Sequence, residues 1–274
     1  MAEAQPPLDL DAYFARIGFG DRADADIGTL AALHARHAEA IPFENLAPFL
    51  GEPVRLDRAS LQEKLVARGR GGWCFEHNLL FAQVLEAIGF PVCRLAARVR
   101  WNVPAGVVTS RSHMLMQVTV AGEPWIADVG FGGQTLTAPL RLVPGIEQPT
   151  PHETYRLTPE AGGYVLEARM PEGWQALYFF ELHEQQLADY EVSNWYLAHH
   201  PQSQFVNGII AARAASDRRH ALRNARYAVH HRGGATERRV IASVAEFRAI
   251  LAGDLRIPLP DDPRLDERLA ALLE

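Results

Sequence analysis

The chain has 274 residues, 48% of them hydrophobic and 22% charged, enough for a substantial core or for two or three packed subdomains. Its net charge of −6 excludes a general nucleic-acid role, which needs a basic footprint, and no apolar run is long enough to span a membrane. Two cysteines, Cys74 and Cys93, are too few for a disulfide scaffold and match no zinc spacing; together with an N-terminus lacking a basic-then-apolar leader pattern, they point to a reducing cytoplasm.

The first ninety residues read as helical. Leu10, Tyr13, Phe14 and Ile17 recur at helical spacing before Gly18, a second helix covers Thr29 to His37, and Ser60 with Glu63 forms a capping-box pattern ahead of Leu61, Leu65 and Val66. A fourth helix runs from Cys74 to Ile88 and ends at Gly89 and Pro91. The period then changes. Cys93, Leu95, Ala97, Val99 and Trp101 alternate with arginines as a half-buried strand, and His113–Val120 and Glu123–Phe131 read as two more, joined by a tight turn at Ala121-Gly122. Short strands are expected at Tyr155–Leu157, Tyr164–Ala168 and Leu177–Phe180 among many Pro and Gly, as in a β-barrel-like domain. The last seventy residues are mixed, with a strand near Arg238–Ala242, an amphipathic helix from Ser243 to Leu251 and a final helix marked by Leu265, Leu269 and Leu272. The order of elements is that of an α+β protein. Arg218, Arg219, Arg223, Arg226, Arg232, Arg238 and Arg239 crowd this segment, either as a solvated face or as a site for a cofactor's phosphates.

The most informative stretch is Arg70-Gly71-Gly72-Trp73-Cys74-Phe75-Glu76-His77-Asn78. A cysteine after a Gly-Gly turn, at a helix start, meets free N–H groups and a helix dipole that favour its thiolate. Cys93, on the apolar face of a strand, reads as structural. A cysteine nucleophile needs a histidine, and the histidine a group to hold it. Among eleven histidines, His113 is picked out by placement. A two-residue turn at Ala121-Gly122 pairs Val120 with Glu123 and hence Leu115 with Asp128. His113 then lies diagonal to Asp128 on one face, within side-chain reach. His199, His200, His220, His230 and His231 lack such a placement and read as surface or loop residues. No His, Asp or Glu spacing suggests a metal.

The cysteine segment resembles the motif of the arylamine N-acetyltransferase family. So do Ile41-Pro42-Phe43-Glu44-Asn45, Ser112-His113-Met114-Leu115, Asp128-Val129-Gly130-Phe131-Gly132-Gly133, Asn194-Trp195-Tyr196 and His200-Pro201-Gln202-Ser203-Gln204-Phe205, in the family's order. The resemblance implies a cysteine-protease-like α+β fold: an N-terminal helical bundle (1–90), a central β-barrel domain (91–200) and a C-terminal α/β lid (201–274). It implies a Cys74–His113–Asp128 triad and an Arg70–Glu44 pair supporting the active-site loop. It further implies coenzyme A contacts at Phe131 and Gly132, with Ser112 and Phe205 as additional candidates, and no tightly bound cofactor. The implied partners are acetyl-CoA, as donor, and small aromatic amines or hydrazines, joined by ping-pong transfer through a Cys74 thioester. A natural-product amide synthase, a cysteine hydrolase with the same triad and a non-catalytic acyl-CoA-binding module remain open alternatives.

Overall fold

Side-chain caps start the first helices of the computed structural model, which describes residues 7–104 and 106–274; the first six residues of the N-terminal reading lie outside it. Asp9 accepts from Ala12 N at the head of α1 (Leu10–Ile17). Asp26 accepts from Thr29 N at the head of α2 (Ile27–Ala40), which is why α2 begins before the expected Thr29. The two-residue strand β1 (Phe43–Glu44) and the short helix α3 (Leu46–Phe49) follow. The helix expected from the Ser60/Glu63 pattern starts earlier. Asp57 caps α4 (Arg58–Leu61) and accepts from both Ser60 N and Ser60 Oγ, so the serine hydroxyl is spent on that cap. The chain continues into a π-helical stretch at Gln62–Ala67. Helix α5 (Cys74–Ile88) is buried almost all round over its first three turns, as a central helix must be.

The eight strands that follow are β2 (Val92–Val99), β3 (Arg111–Val120), β4 (Glu123–Ala127), β5 (Leu140–Arg141), β6 (Gln148–Pro149), β7 (Thr154–Glu160), β8 (Gly163–Met170) and β9 (Gly173–Phe180). They form one antiparallel, barrel-like sheet in the order β5-β4-β3-β2-β9-β8-β7-β6. Alternation along β3 divides two cores. Met116, Val118 and Val120 pack with Tyr13, Leu30, Leu33, Phe81 and Val84 of the helices. Leu115 packs with Leu95, Ala97, Ile126, Tyr155, Leu166 and Tyr178 within the sheet. The β3–β4 hairpin turns at Ala121-Gly122 and pairs Val120 with Glu123, the register expected from the sequence. Its ladder ends at Met116–Ala127, short of the expected Phe131, because from Asp128 onward the backbone bonds to side chains.

Helices α6 (Leu187–His199) and α7 (Gln204–Asn207) lead to β10 (Ile210–Ala214), β11 (Arg218–Arg223), β12 (Arg226–His231) and β13 (Thr236–Val240). With β1 these make a second sheet, ordered β1-β10-β11-β12-β13, so residues 43–44 share a sheet with the C-terminal segment. Ser243 caps α8 (Val244–Ala249). This helix, a π-helical stretch at Ile250–Asp254 and α9 (Pro263–Ala270) cover one face of that sheet through Phe247, Ile250, Leu251, Leu265 and Leu269. The meander β10–β12 was not expected, since arginines and histidines occupy positions where apolar alternation would announce a strand. His220, read as surface or loop, is buried in β11 with Nδ1 2.6 Å from the Tyr227 hydroxyl; His230 and His231 lie in β12. Among the described residues no helix is long and apolar enough to cross a membrane.

A polar chain threads the helical core. Pro42 O can only accept, so His77 Nε2 donates to it (3.1 Å). His77 Nδ1 then accepts from His37 Nε2 (2.9 Å), and His37 Nδ1 accepts from the Tyr13 hydroxyl (2.8 Å). Both imidazoles are therefore neutral. Burial pushes His77 down to about 4 and His37 well below its ordinary value, and burial likewise holds the nearby His34 at about 4. Such histidines take up protons on unfolding between pH 6.5 and their native values, so stability falls as pH drops through that window. His77 and His34 each contribute on the order of 3 kcal/mol of destabilisation at its lower end. Thermal melts should show Tm declining steadily from pH 7 to pH 5; a flat Tm across that range would contradict neutral burial.

Candidate active site

The segment before α5 is locked by contacts that only glycine permits. A Cβ on Gly71 would lie 2.1 Å from Pro42 O, so this residue must be glycine for the segment to pass beside residues 42–44. Glu44 N donates to Gly72 O (2.8 Å). Arg70 bonds Glu44 Oε1 through Nε (2.9 Å) and Nη2 (2.7 Å), while Glu44 Oε2 accepts from Leu46 N (2.6 Å). Glu76 Oε2 accepts from Trp73 N (3.1 Å), its other oxygen binds Lys64 Nζ (2.7 Å), and Trp73 Nε1 donates to Asn194 Oδ1 of α6 (3.0 Å). The loop thus delivers Cys74 to the first position of α5, with its Sγ 3.7 Å from Ser112 O.

His113, 2% exposed on β3, donates from Nε2 to Asp128 Oδ2 at 2.6 Å; with Nε2 occupied, Nδ1 is the nitrogen left for the Cys74 sulfur. Burial alone would disfavour the imidazolium. The charge and hydrogen bond of Asp128, with a smaller contribution from Cys74, outweigh burial and raise His113 to about 10. Asp128 has no exposed surface, and burial would raise its pKa, yet His113, Asn78 and Gly130 N hold it below the usual carboxylate range. Its Oδ1 accepts from Asn78 Nδ2 (3.0 Å) and Gly130 N (3.0 Å), and its Oδ2 accepts from Tyr178 OH (3.0 Å) besides His113. The sequence brought together Cys74, His113 and Asp128; it did not single out Asn78 or Tyr178 as partners. Asn78 lies one helical turn from Cys74 on α5, a spacing that would have pointed to it. Tyr178 comes from β9, fifty residues away from Asp128, and carried no local signal.

Phe131 stands edge-on to His113 at 4.9 Å and to Tyr178 at 5.1 Å. Gly132 adopts a left-handed conformation (φ 74°) beside the Phe43 ring. Phe205, at the start of α7, packs edge-on against Trp73 at 5.2 Å. Ser112 precedes His113 and contributes the carbonyl facing Cys74 Sγ. Arg219 of the arginine-rich segment is buried and held through Nε and Nη2 by Glu153, Thr135 O and Tyr155. Arg218 pairs with Asp217, its neighbour in the chain.

The family model described as N-acetyltransferase matches residues 26–263. The chain belongs to the arylamine N-acetyltransferase family. It is 43% identical over 274 residues to the arylamine N-acetyltransferase of Mycobacterium tuberculosis, covering 96% of each chain, and 42% identical to that of Escherichia coli, covering 92% of this chain and 90% of the other. The solved Mycobacterium smegmatis arylamine N-acetyltransferase superposes with a TM-score of 0.93 at 42% identity, over 98% of this chain and 100% of that one. The Mycobacterium marinum arylamine N-acetyltransferase in complex with CoA superposes with a TM-score of 0.93 at 40% identity, over 97% and 100%. As a member of this family the chain is an acyltransferase.

Gly130 gives a direct test of the packing around Cys74. A Cβ there would lie 2.8 Å from Cys74 Cα, which cannot move without shifting α5, and 2.9 Å from Asn78 Nδ2, which cannot move without losing its bonds to Met114 O and Asp128. Gly130→Ala should lower the melting temperature, through overpacking of about 1–3 kcal/mol, and reduce acetyl transfer by more than tenfold. Calorimetry and a steady-state assay on one preparation would check both.

Proposed function

We propose that the chain moves the acetyl group of acetyl-CoA to the nitrogen of arylamines and arylhydrazines in a ping-pong reaction, with Cys74, His113 and Asp128 as catalytic triad. The observation that carries the reading is the alignment of Cys74 at the head of α5, its Sγ on the carbonyl of the residue before His113, with a His113 ring bonded to an Asp128 carboxylate held below the usual range. Cys74 Sγ attacks the acetyl carbonyl carbon, and the carbon–sulfur bond to coenzyme A breaks. The departing thiolate takes a proton from His113, leaving acetyl-Cys74. The amine nitrogen then attacks the thioester, the bond to Sγ breaks, and His113 accepts the proton that the nitrogen loses. Asp128 holds the His113 tautomer and stabilises its charged form. The Cys74 N–H, free at the helix start, is the oxyanion donor in this scheme.

Support for coenzyme A as the donor comes from the CoA complex of the Mycobacterium marinum relative. We assign Phe131, Gly132, Ser112 and Phe205 to the coenzyme A and acceptor cleft, since Phe131, Ser112 and Phe205 touch or neighbour His113, Cys74 and Trp73, and Gly132 follows Phe131 beside the Phe43 ring. Residues 1–90, 91–200 and 201–274 serve in this reading as helical bundle, barrel and lid of a cytoplasmic enzyme.

Intact-mass measurement after brief incubation with acetyl-CoA, without acceptor, tests the central step. One acetyl group should appear on Cys74, be absent in Cys74→Ala and disappear on adding an aromatic amine. Alkylation of Cys74 without any acetyl adduct would move the reading to an amide synthase or hydrolase. A Cys74 inert to both reagents would leave only a binding role.

A further inference from the structure

Asp128 lies one residue beyond the end of β4, and its peptide groups face the β5 side, where pairing stops at Ile126–Leu140, so they have no strand partner. Side chains replace that partner. Asp128 N donates to His34 Nε2 at 3.2 Å, and Asp128 O accepts from Thr135 Oγ1 at 3.3 Å. The same Thr135 Oγ1 accepts from Phe131 N at 3.2 Å, and the Thr135 carbonyl accepts from Arg219 at 2.9 Å. Thr135 thus closes the 128–135 loop on itself and anchors it to the C-terminal sheet. His34 reaches the loop from α2, is wholly buried, and stands edge-on to Phe81 at 5.8 Å. An imidazole that accepts an N–H at Nε2 carries its own proton on Nδ1, and His34 Nδ1 is buried without a partner. An ordinary core position would hold an apolar ring there, since an orphaned buried donor destabilises the fold. What the position gains is one hydrogen bond to the backbone of Asp128.

We infer that His34 and Thr135 are positioning residues for the acetyl-transfer reaction: they take the place of the missing ladder bonds and fix the direction in which the Asp128 carboxylate meets His113. This inference rests on the triad proposed above. His34 acts as a neutral acceptor only, so a glutamine, whose amide oxygen also accepts, should substitute for it, while phenylalanine fills the space and accepts nothing. Thr135 acts through its hydroxyl, so serine should substitute and valine should not.

The test uses the full chain in five forms: wild type, His34→Gln, His34→Phe, Thr135→Ser and Thr135→Val. Three measurements are made on each: the melting temperature, the single-turnover rate of Cys74 acetylation by acetyl-CoA, and the rate of Cys74 alkylation by iodoacetamide from pH 5 to 9. Expected is a loss of acetylation rate of roughly 10²-fold in His34→Phe and Thr135→Val, with most of it restored in His34→Gln and Thr135→Ser. Alkylation at the acid end of the range should slow in the two loss variants alone, because a misdirected Asp128 no longer supports the His113 imidazolium that accompanies the thiolate. A structural role would lower Tm without moving that pH profile. If His34→Phe does not fold, the Thr135 pair decides. Wild-type kinetics in a folded His34→Phe or Thr135→Val, or equal losses in the acceptor-bearing and acceptor-lacking variants, would overturn the inference. Failure of the triad itself is distinguishable: wild-type Cys74 would then take no acetyl at all.

Discussion

A carboxylate with no exposed surface is the constraint on which the rest of this structure depends. Burying an isolated charge costs many kcal/mol, and the usual escape is protonation. Asp128 stays ionised because four donors converge on its two oxygens: Asn78 from α5, Gly130 from its own loop, His113 from β3 and Tyr178 from β9. The central helix and two non-adjacent strands of the barrel-like sheet must all be docked before these bonds exist. Tertiary assembly and site assembly are therefore one event. Loss of any donor would leave the others facing a partly unpaired charge in a dry interior, where the penalty is largest.

The second constraint is on the sulfur. In the proposed reaction Cys74 is useful only at the head of α5, where backbone N–H groups lack intrahelical partners. That head is held from two sides. Glu44 and Arg70 fix the preceding loop from below, and Trp73 is tied to Asn194 of α6. Because Glu44 is also a residue of β1, which pairs with β10, the C-terminal sheet is connected to the loop before Cys74 through backbone hydrogen bonds. Arg219 makes a second connection, from β11 to the loop after Asp128. A segment distant in sequence from Cys74 and Asp128 thus bears on the surroundings of both.

What was legible in the sequence was what local rules write down. The alternation of Cys93 to Trp101, the Ala121-Gly122 turn and the spacing around Cys74 fixed one strand, one register and one helix start. From these alone His113 and Asp128 fell on the same face. The hairpin β11–β12 escaped because its alternation is carried by Arg, His, Ala and Tyr rather than by aliphatic residues, and buried charge becomes readable only once Glu153 is seen opposite Arg219. The end of β4 was misread for a related reason. Residues 127 to 131 look uniformly apolar and strand-like apart from Asp128, and nothing nearby announces that side chains 94 and 51 residues away, His34 and Asn78, take over the backbone bonds. Periodicity records which face is buried, not which buried backbone groups are claimed by distant side chains.

Asp128 also shows how one residue sets two histidines in opposite states. To His113 it presents a carboxylate oxygen, an acceptor bearing charge, and the imidazole becomes a donor held protonated far above its ordinary range. To His34 it presents a backbone N–H, a donor, and the imidazole must offer a lone pair. The carboxylate still attracts positive charge on His34, but burial outweighs that attraction and holds the ring neutral. An imidazolium at His34 would have no lone pair for the Asp128 N–H and would compete with His113 for the same carboxylate. Both rings are buried, so the direct hydrogen bond to the Asp128 carboxylate is what keeps His113 protonated, while His34, given only the backbone N–H of the same residue, stays neutral under burial.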